Sequence, residues 1–243
     1  MDPCARVRLS GEPLEDRSVP AVSATISSGT LFVTGAATNP GDTITITQTA
    51  PGTFTVADGT TQVTVEGSGT VSNVDVRLGK ASDTVSIDLG TFTLAGSVSA
   101  SMGSGNTDSL SVANGTIGGN LDVKGGPGRD VVTVADGLTV LGGATFDLAG
   151  GNDTLTFKAT VGSGSGRVLD VDAGSGNDDV ELLAPASIQG DAVVDLGYGR
   201  DTFTFDDAGT TLTGQLLVLG GPGQDTYNGT LPRPGVTAQG FEA

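Results

Sequence analysis

The stretch GGPGRDVVTV at 125–134 reads as a glycine-rich turn running into a short strand whose side chains alternate inward and outward. Altered copies recur along most of the chain: GKASDTVSI (79–87), GSGNTDSLSV (103–112), AGGNDTLTF (149–157), GSGNDDVEL (174–182), GYGRDTFTF (197–205) and GPGQDTYNG (221–229). The turn aspartates Asp83, Asp108, Asp130, Asp153, Asp178, Asp201 and Asp225 follow one another at 25, 22, 23, 25, 23 and 24 residues. A second column, Gly96, Gly119, Gly143, Gly166, Gly190 and Gly214, keeps the same beat at 23, 24, 23, 24 and 24. Two columns sharing one period mark an internal repeat.

Working outward from the turn, the residues two and four places after each Asp from Asp83 to Asp201 are apolar, from Val85/Ile87 and Leu110/Val112 to Phe203/Phe205. Before the turn run two more apolar columns: Val74, Val98, Leu121, Ala144, Leu169, Ala192, Leu216, and two residues on Val76, Ala100, Val123, Phe146, Val171, Val194, Val218. A third patch (Leu94, Ile117, Val140, Val161, Ile188, Leu212) follows in each repeat. One core layer rebuilt about every 24 residues from three short strands predicts an all-β parallel solenoid of about seven coils. A strand-hairpin protein is the alternative, because Asp58-Gly59, Asn114-Gly115 and Asp136-Gly137 are hairpin turn signals. Hairpins do not require one period in every column, whereas stacked coils do.

The ends depart from the repeat. Residues 1–22 are expected to be a polar leader, with Arg6, Arg8 and Arg17 and no apolar signal core. Residues 23–73 are expected to form an irregular first coil and cap, its extra length taken up by a hairpin through Phe54/Val56, Asp58-Gly59 and Val63/Val65. The regular repeats occupy 74–229. In 230–243 the repeat is lost, two prolines argue against a further strand, and Phe241 is placed to tuck over the last coil.

Composition bounds the function. With 28 acids against 11 bases the net charge is −17, a field that repels phosphate backbones and excludes nucleic acid as a partner. No run of 18 apolar residues provides a transmembrane segment. The chain has no His and a single Cys, Cys4, so it has no intramolecular disulfide and no zinc, haem or iron–sulfur ligand set. It also lacks a nucleophile elbow and a P-loop, and the expectation is a non-catalytic protein.

The turn phrase GxGxD, complete as GGxGxD at 125–130 and 220–225, resembles the repeats-in-toxin (haemolysin-type) calcium-binding repeat. That resemblance implies calcium held between stacked turns, with glycines aiming carbonyls and the Asp completing the oxygen shell. The matching positions are Gly126, Gly128 and Asp130; Gly174, Gly176 and Asp178; Gly197, Gly199 and Asp201; Gly221, Gly223 and Asp225; and, less fully, Asp153. The pattern departs from the family in having one motif per long coil rather than two per short one. Ala81 and Ala149 replace turn glycines, and Arg129 and Arg200 set cations beside the supposed ligands. Separately, LEDRSVPA (14–21) is similar to an LE-x-R-x-x-PA segment near the N-termini of many large exported proteins of planctomycete bacteria, which implies an extracellular or cell-surface location.

Carboxylates stacked one strand spacing apart repel by roughly 1 kcal/mol in water and ~3.5 kcal/mol at an effective dielectric near 20. A ladder of them therefore needs calcium, arginine or backbone N–H groups in compensation. Three functional classes follow: a calcium-binding surface solenoid, a metal-independent structural or adhesive module, and a small polysaccharide lyase- or hydrolase-like enzyme. The partners expected are calcium and, on the outside, cell-wall or extracellular polysaccharide or another surface protein. The enzyme reading rests on the outward acids Asp147, Asp172 and Asp195 with Arg167 or Arg200, on a scaffold that resembles the pectate lyase helix. The same acids also suit a plain solvated face.

Overall fold

The computed structural model describes residues 22–35, 41–163, 166–231 and 233–242; the LEDRSVPA segment and the rest of 1–21 lie outside the described residues. Every regular element in them is a β-strand. Each 24-residue repeat becomes one coil with three faces. In the coil that holds the quoted stretch, Leu121–Gly126 lies on the first face, Arg129–Val134 on the second and Thr139–Val140 on the third, before Ala144–Ala149 returns to the first.

Equivalent strands of successive coils pair in parallel and in register. Val98 faces Val74 and Leu121, Leu110 faces Val85 and Val132, and Ile117 faces Leu94 and Val140. The result is a parallel β-solenoid of about seven turns. Its three main sheets contain eleven, ten and six strands among the described residues, and Ser175–Gly176 pairs with Tyr198–Gly199 in a two-stranded fourth. A hairpin protein would alternate chain direction from strand to strand; here that happens only in the first unit.

Register follows from burial, since a one-residue slip would turn each apolar set to solvent. The predicted inward columns are the core: Val74, Val98, Leu121, Ala144, Leu169, Ala192 and Leu216 are each no more than 1% exposed. Column volumes compensate within a coil. Phe146 meets Phe157 edge-on at 6.2 Å between ring centroids, and Ala144 and Ala159 each flank one of these rings on one side while Leu148 and Leu155 flank them on the other.

The first unit is the expected irregular one. Thr43–Ala50 joins the second sheet in parallel with Thr84–Asp88, then folds back antiparallel on Thr53–Asp58, which pairs in turn with Thr61–Val63. This double hairpin takes up the extra length of the 41-residue interval between Asp42 and Asp83, which also holds the first-sheet strand Asn73–Arg77, and covers that end of the second sheet. At the far end one expectation is corrected. Val236–Gln239 is a strand, paired in parallel with Leu216–Leu219. Proline bars a ladder bond only at its own residue, and Pro234 precedes the strand while Gly235, at φ +80°, turns the chain into it.

Candidate functional site: the glycine-aspartate corner

The corner between the first and second sheets is where the repeat spends its glycines and aspartates. Asp83, Asp108, Asp130, Asp153, Asp178, Asp201 and Asp225 are each 2% exposed or less, so the side chains turn into the corner rather than out from it. Most are held by the coil before them. The Asp83 N–H donates to Asp108 Oδ1 (2.7 Å), Asp130 N–H to Asp153 Oδ1 (2.7 Å), Asp153 N–H to Asp178 Oδ1 (2.7 Å), and Asp178 N–H to Asp201 Oδ1 (2.8 Å). Asp201 N–H donates to Asp225 Oδ1 at 2.9 Å. Asp108, Asp153, Asp178, Asp201 and Asp225 thus each satisfy a buried backbone donor one coil away, which costs free energy if left unpaired.

Asp130 departs from the pattern. Its Oδ2 accepts from Gly126 N–H of its own turn at 2.7 Å, while Oδ1 is buried without a hydrogen-bond partner. In Asp108, Asp153, Asp178, Asp201 and Asp225 it is Oδ2 that is buried and unpartnered.

The ladder extends past the repeat at both ends. Asp42 N–H donates to Asp83 Oδ1 at 2.8 Å, although 41 residues separate them. At the other end Glu242 stands in for the missing next aspartate, its Oε2 accepting from Asp225 N–H at 2.6 Å. The sequence hid Glu242 because it lies 17 residues from Asp225, off the period, and carries a different carboxylate.

Two glycine columns flank the ladder. Gly126, Gly174, Gly197 and Gly221 form one, with Ala149 in the gap; Gly128, Gly176, Gly199 and Gly223 form the other. In both, the carbonyl oxygen of one coil occupies the place that a β-carbon of the next would take. A β-carbon on Gly176 would sit 1.3 Å from Gly151 O, and Gly176 is at φ +146°. Several of these carbonyls also accept a backbone N–H from the following coil: Gly126 O from Gly150 (3.1 Å), Gly174 O from Tyr198 (2.8 Å), Gly199 O from Gln224 (3.3 Å). Close stacking of backbone on backbone is thus what the glycines permit here.

Removal from water dominates the electrostatics. It pushes the Asp153 carboxyl up to about 7 and those of Asp108 and Asp178 to about 6, and it raises Asp130 and Asp201 as well. Hydrogen bonds from backbone N–H groups pull the other way, and Arg129 adds a smaller opposing pull on Asp153. Neighbouring carboxylates raise Asp108, Asp153, Asp178 and Asp201 further. Both Arg129 and Arg200 lie on the outside, and the ion pairs among the described residues join Arg77 to Asp75, Arg167 to Asp170 and Arg233 to Asp207. The described residues gather no group of three or more His, Cys, Asp or Glu placed to hold a metal ion.

A second side-chain ladder, not anticipated from the sequence, runs along the corner between the third and first sheets. Asn73 Oδ1 accepts from Ser97 N–H (2.9 Å), Ser97 Oγ from Asn120 N–H (3.0 Å), and Asn120 Oδ1 from Gly143 N–H (3.0 Å). Its signal is the small polar residue adjoining the second glycine column. Since the residue alternates between Asn and Ser, no single letter marks it.

The acids of the enzyme reading stand elsewhere. Asp147, Asp172 and Asp195 are in register on adjacent strands, on the outer face of the first sheet. Desolvation, followed by the charges of Asp147, Asp195 and Asp170, raises the Asp172 carboxyl. Arg167 is engaged with Asp170 at 2.8 Å.

The fold defines a class, the parallel β-solenoid with one aspartate-lined corner. No protein-family model, no curated protein and no solved structure matches the chain.

Proposed function

We propose that the chain is a non-catalytic structural solenoid whose aspartate ladder joins consecutive coils through backbone N–H groups rather than through metal. One observation carries this reading: ladder carboxylates accept the N–H of the Asp one coil away while turn carbonyls accept N–H groups from the next coil, so many of the oxygens that a calcium site would use already have donors. The charge and the solenoid surface suit a module displayed outside the cell, and LEDRSVPA supports that location by resemblance. Polysaccharide or another surface protein is the matching class of partner.

Calcium is the second reading, favoured by a specific feature. Each of six ladder carboxylates keeps one buried oxygen without a partner, and carboxylate oxygens are the ligands calcium takes. Thermal unfolding followed by far-ultraviolet circular dichroism, in EDTA and then with calcium raised to ~10 mM, the range of weak extracellular sites, separates the two. The structural reading expects one cooperative transition at the same temperature throughout. A saturable rise specific to calcium, absent with magnesium and reduced by Asp130→Ala, would replace it with the calcium reading.

A further inference from the structure

The outer face of the second sheet differs from that of the first. Because Ile44, Val85, Leu110, Val132 and Leu155 point into the core, the residues on either side of each point outward in two columns. From Thr43/Thr45 to Thr154/Thr156, five parallel strands in unbroken register place nine hydroxyl residues at ten outward positions, Val131 being the exception. All ten are exposed or half-exposed.

No charged side chain stands among them, although the chain carries 28 acids and the outer face of the first sheet shows Asp75, Asp122, Lys124 and Asp170 at comparable positions. Solvated faces commonly take charge, as the first sheet's does; the third sheet shares the hydroxyl character only in a single outward column, Thr93, Thr116, Thr139, Thr160, Ser187 and Thr211. At one rim Asp88 is turned to the corner, where Oδ1 accepts from Gly90 N–H (2.8 Å) and Asn114 Nδ2 (3.0 Å), and at the other the exposed Arg129 precedes Val131 by two residues. The block ends at Asp179/Glu181, with Glu181 accepting from Thr156 Oγ1 at 3.1 Å, and one further Thr202/Thr204 pair lies beyond that break.

Register converts this composition into a lattice. Rungs repeat every ~4.8 Å across strands, and residues two apart on a strand repeat every ~6.7 Å along them. Water oxygens on the prism faces of hexagonal ice repeat in two perpendicular directions at spacings close to these. Threonine suits such a surface, since its hydroxyl bonds a lattice water and its methyl leaves no competing polar group. Ordered water held this way is enthalpically close to a direct hydrogen bond. A glycan surface fits less well, because no aromatic ring stands on the block for a sugar to stack against.

We propose that the hydroxyl face of the second sheet binds ice. This surface is separate from the aspartate corner, so the inference does not depend on whether that corner takes calcium. The test grows single ice crystals in the purified full chain and measures recrystallisation and partition of the protein into the ice. Wild type is expected to facet the crystals and enrich in the frozen fraction. Thr133→Lys and, separately, Thr45→Lys are expected to abolish both effects with an unchanged thermal melt, while Ser99→Lys on the first sheet leaves them intact. The double change Asp179→Thr with Glu181→Thr is expected to strengthen faceting, by joining the block to Thr202/Thr204. Unfaceted growth with no partition of wild type into ice overturns the proposal. So does an equal loss in Ser99→Lys, or retention on crystalline cellulose or chitin without any effect on ice.

Discussion

At the scale of single residues, the corner explains why glycine recurs and where its absence is tolerated. Gly176 has a carbonyl lying where its β-carbon would go, 1.3 Å from Gly151 O, and that neighbour is backbone that cannot swing aside. Gly176→Ala must therefore push two coils apart, and we expect a loss of about 3 kcal/mol in urea unfolding, the upper end of the range of overpacked sites. Ala149 presents the reverse case. It holds φ +70° in a column otherwise occupied by glycine, a left-handed conformation that costs an L-residue roughly 1–2 kcal/mol. Ala149→Gly should relieve that strain and raise stability by about 1 kcal/mol, less the added entropy of the unfolded chain. Opposite signs from the two substitutions, read as shifts in the urea midpoint, would confirm that backbone stacking selects glycine at this corner; matching signs would refute it.

At the scale of the element, the ladder behaves as one titrating unit. Desolvation raises Asp153 to about 7 and Asp108 and Asp178 to about 6, against roughly 3.9 for Asp in an unfolded chain. A folded-state pKa above the unfolded one means the native state holds the extra protons, so the stability they contribute is complete below about pH 4 and lost as pH rises through 6 to 7. The solenoid should be more stable at pH 5 than at pH 8, by an amount on the order of 1–3 kcal/mol for each strongly shifted member. Asp153→Asn keeps an acceptor for Asp130 N–H and removes the titration, so it should flatten the profile; Asp147→Asn, an equal change in net charge on the exposed face, should not. A profile left unchanged by Asp153→Asn would show that general charge repulsion, rather than the ladder, sets the pH dependence. The repeat made the fold and the corner legible from residues alone, because every coil rebuilds the same columns and alternation fixes which side chains point inward. The direction of each carboxylate was not legible: GxGxD is compatible with an oxygen turned toward an ion and with one turned toward a neighbouring N–H. That choice depends on coil-to-coil distance, which no spacing along the chain encodes. Asn73, Ser97 and Asn120 escaped for a related reason, since a ladder that accepts any short polar side chain leaves no constant letter.

At the scale of the whole molecule, a solenoid of nearest-neighbour coils is only as secure as its ends, since each terminal coil has one neighbour rather than two. The last described coil carries an aromatic lid, a substitute rung and a clamp. Tyr227 packs on Phe203 at 5.7 Å between centroids, and Phe241 meets Tyr227 edge-on at 5.6 Å, the tuck over the last coil that the sequence suggested. Glu242 supplies to Asp225 N–H the carboxylate that an aspartate one coil on supplies to the other rungs. Arg233 lies 4.5 Å from the centre of the Phe205 ring and reaches Asp207 Oδ1 at 2.7 Å and Thr210 O at 3.3 Å, fastening the returning segment to the coil beneath it. Arg233 combines a partly buried ion pair with a cation–π contact, so Arg233→Ala should cost about 1–3 kcal/mol and Glu242→Ala about 1–2 kcal/mol, the cost of one unpaired backbone donor. Both act on the terminal coil alone. Hydrogen exchange should therefore show the amides of Thr226–Asn228 and Val236–Gln239 losing protection in either variant while those of Arg129–Val134 keep theirs. Because fraying would free the edge of Thr202–Phe205 and uncover the Phe203 and Phe205 rings, which are buried in the parent, Arg233→Ala should also associate at concentrations where the parent stays dispersed, measurable by light scattering. Uniform loss of protection along all coils would show instead that the stack unfolds as one cooperative unit and that its end is not a separate point of control.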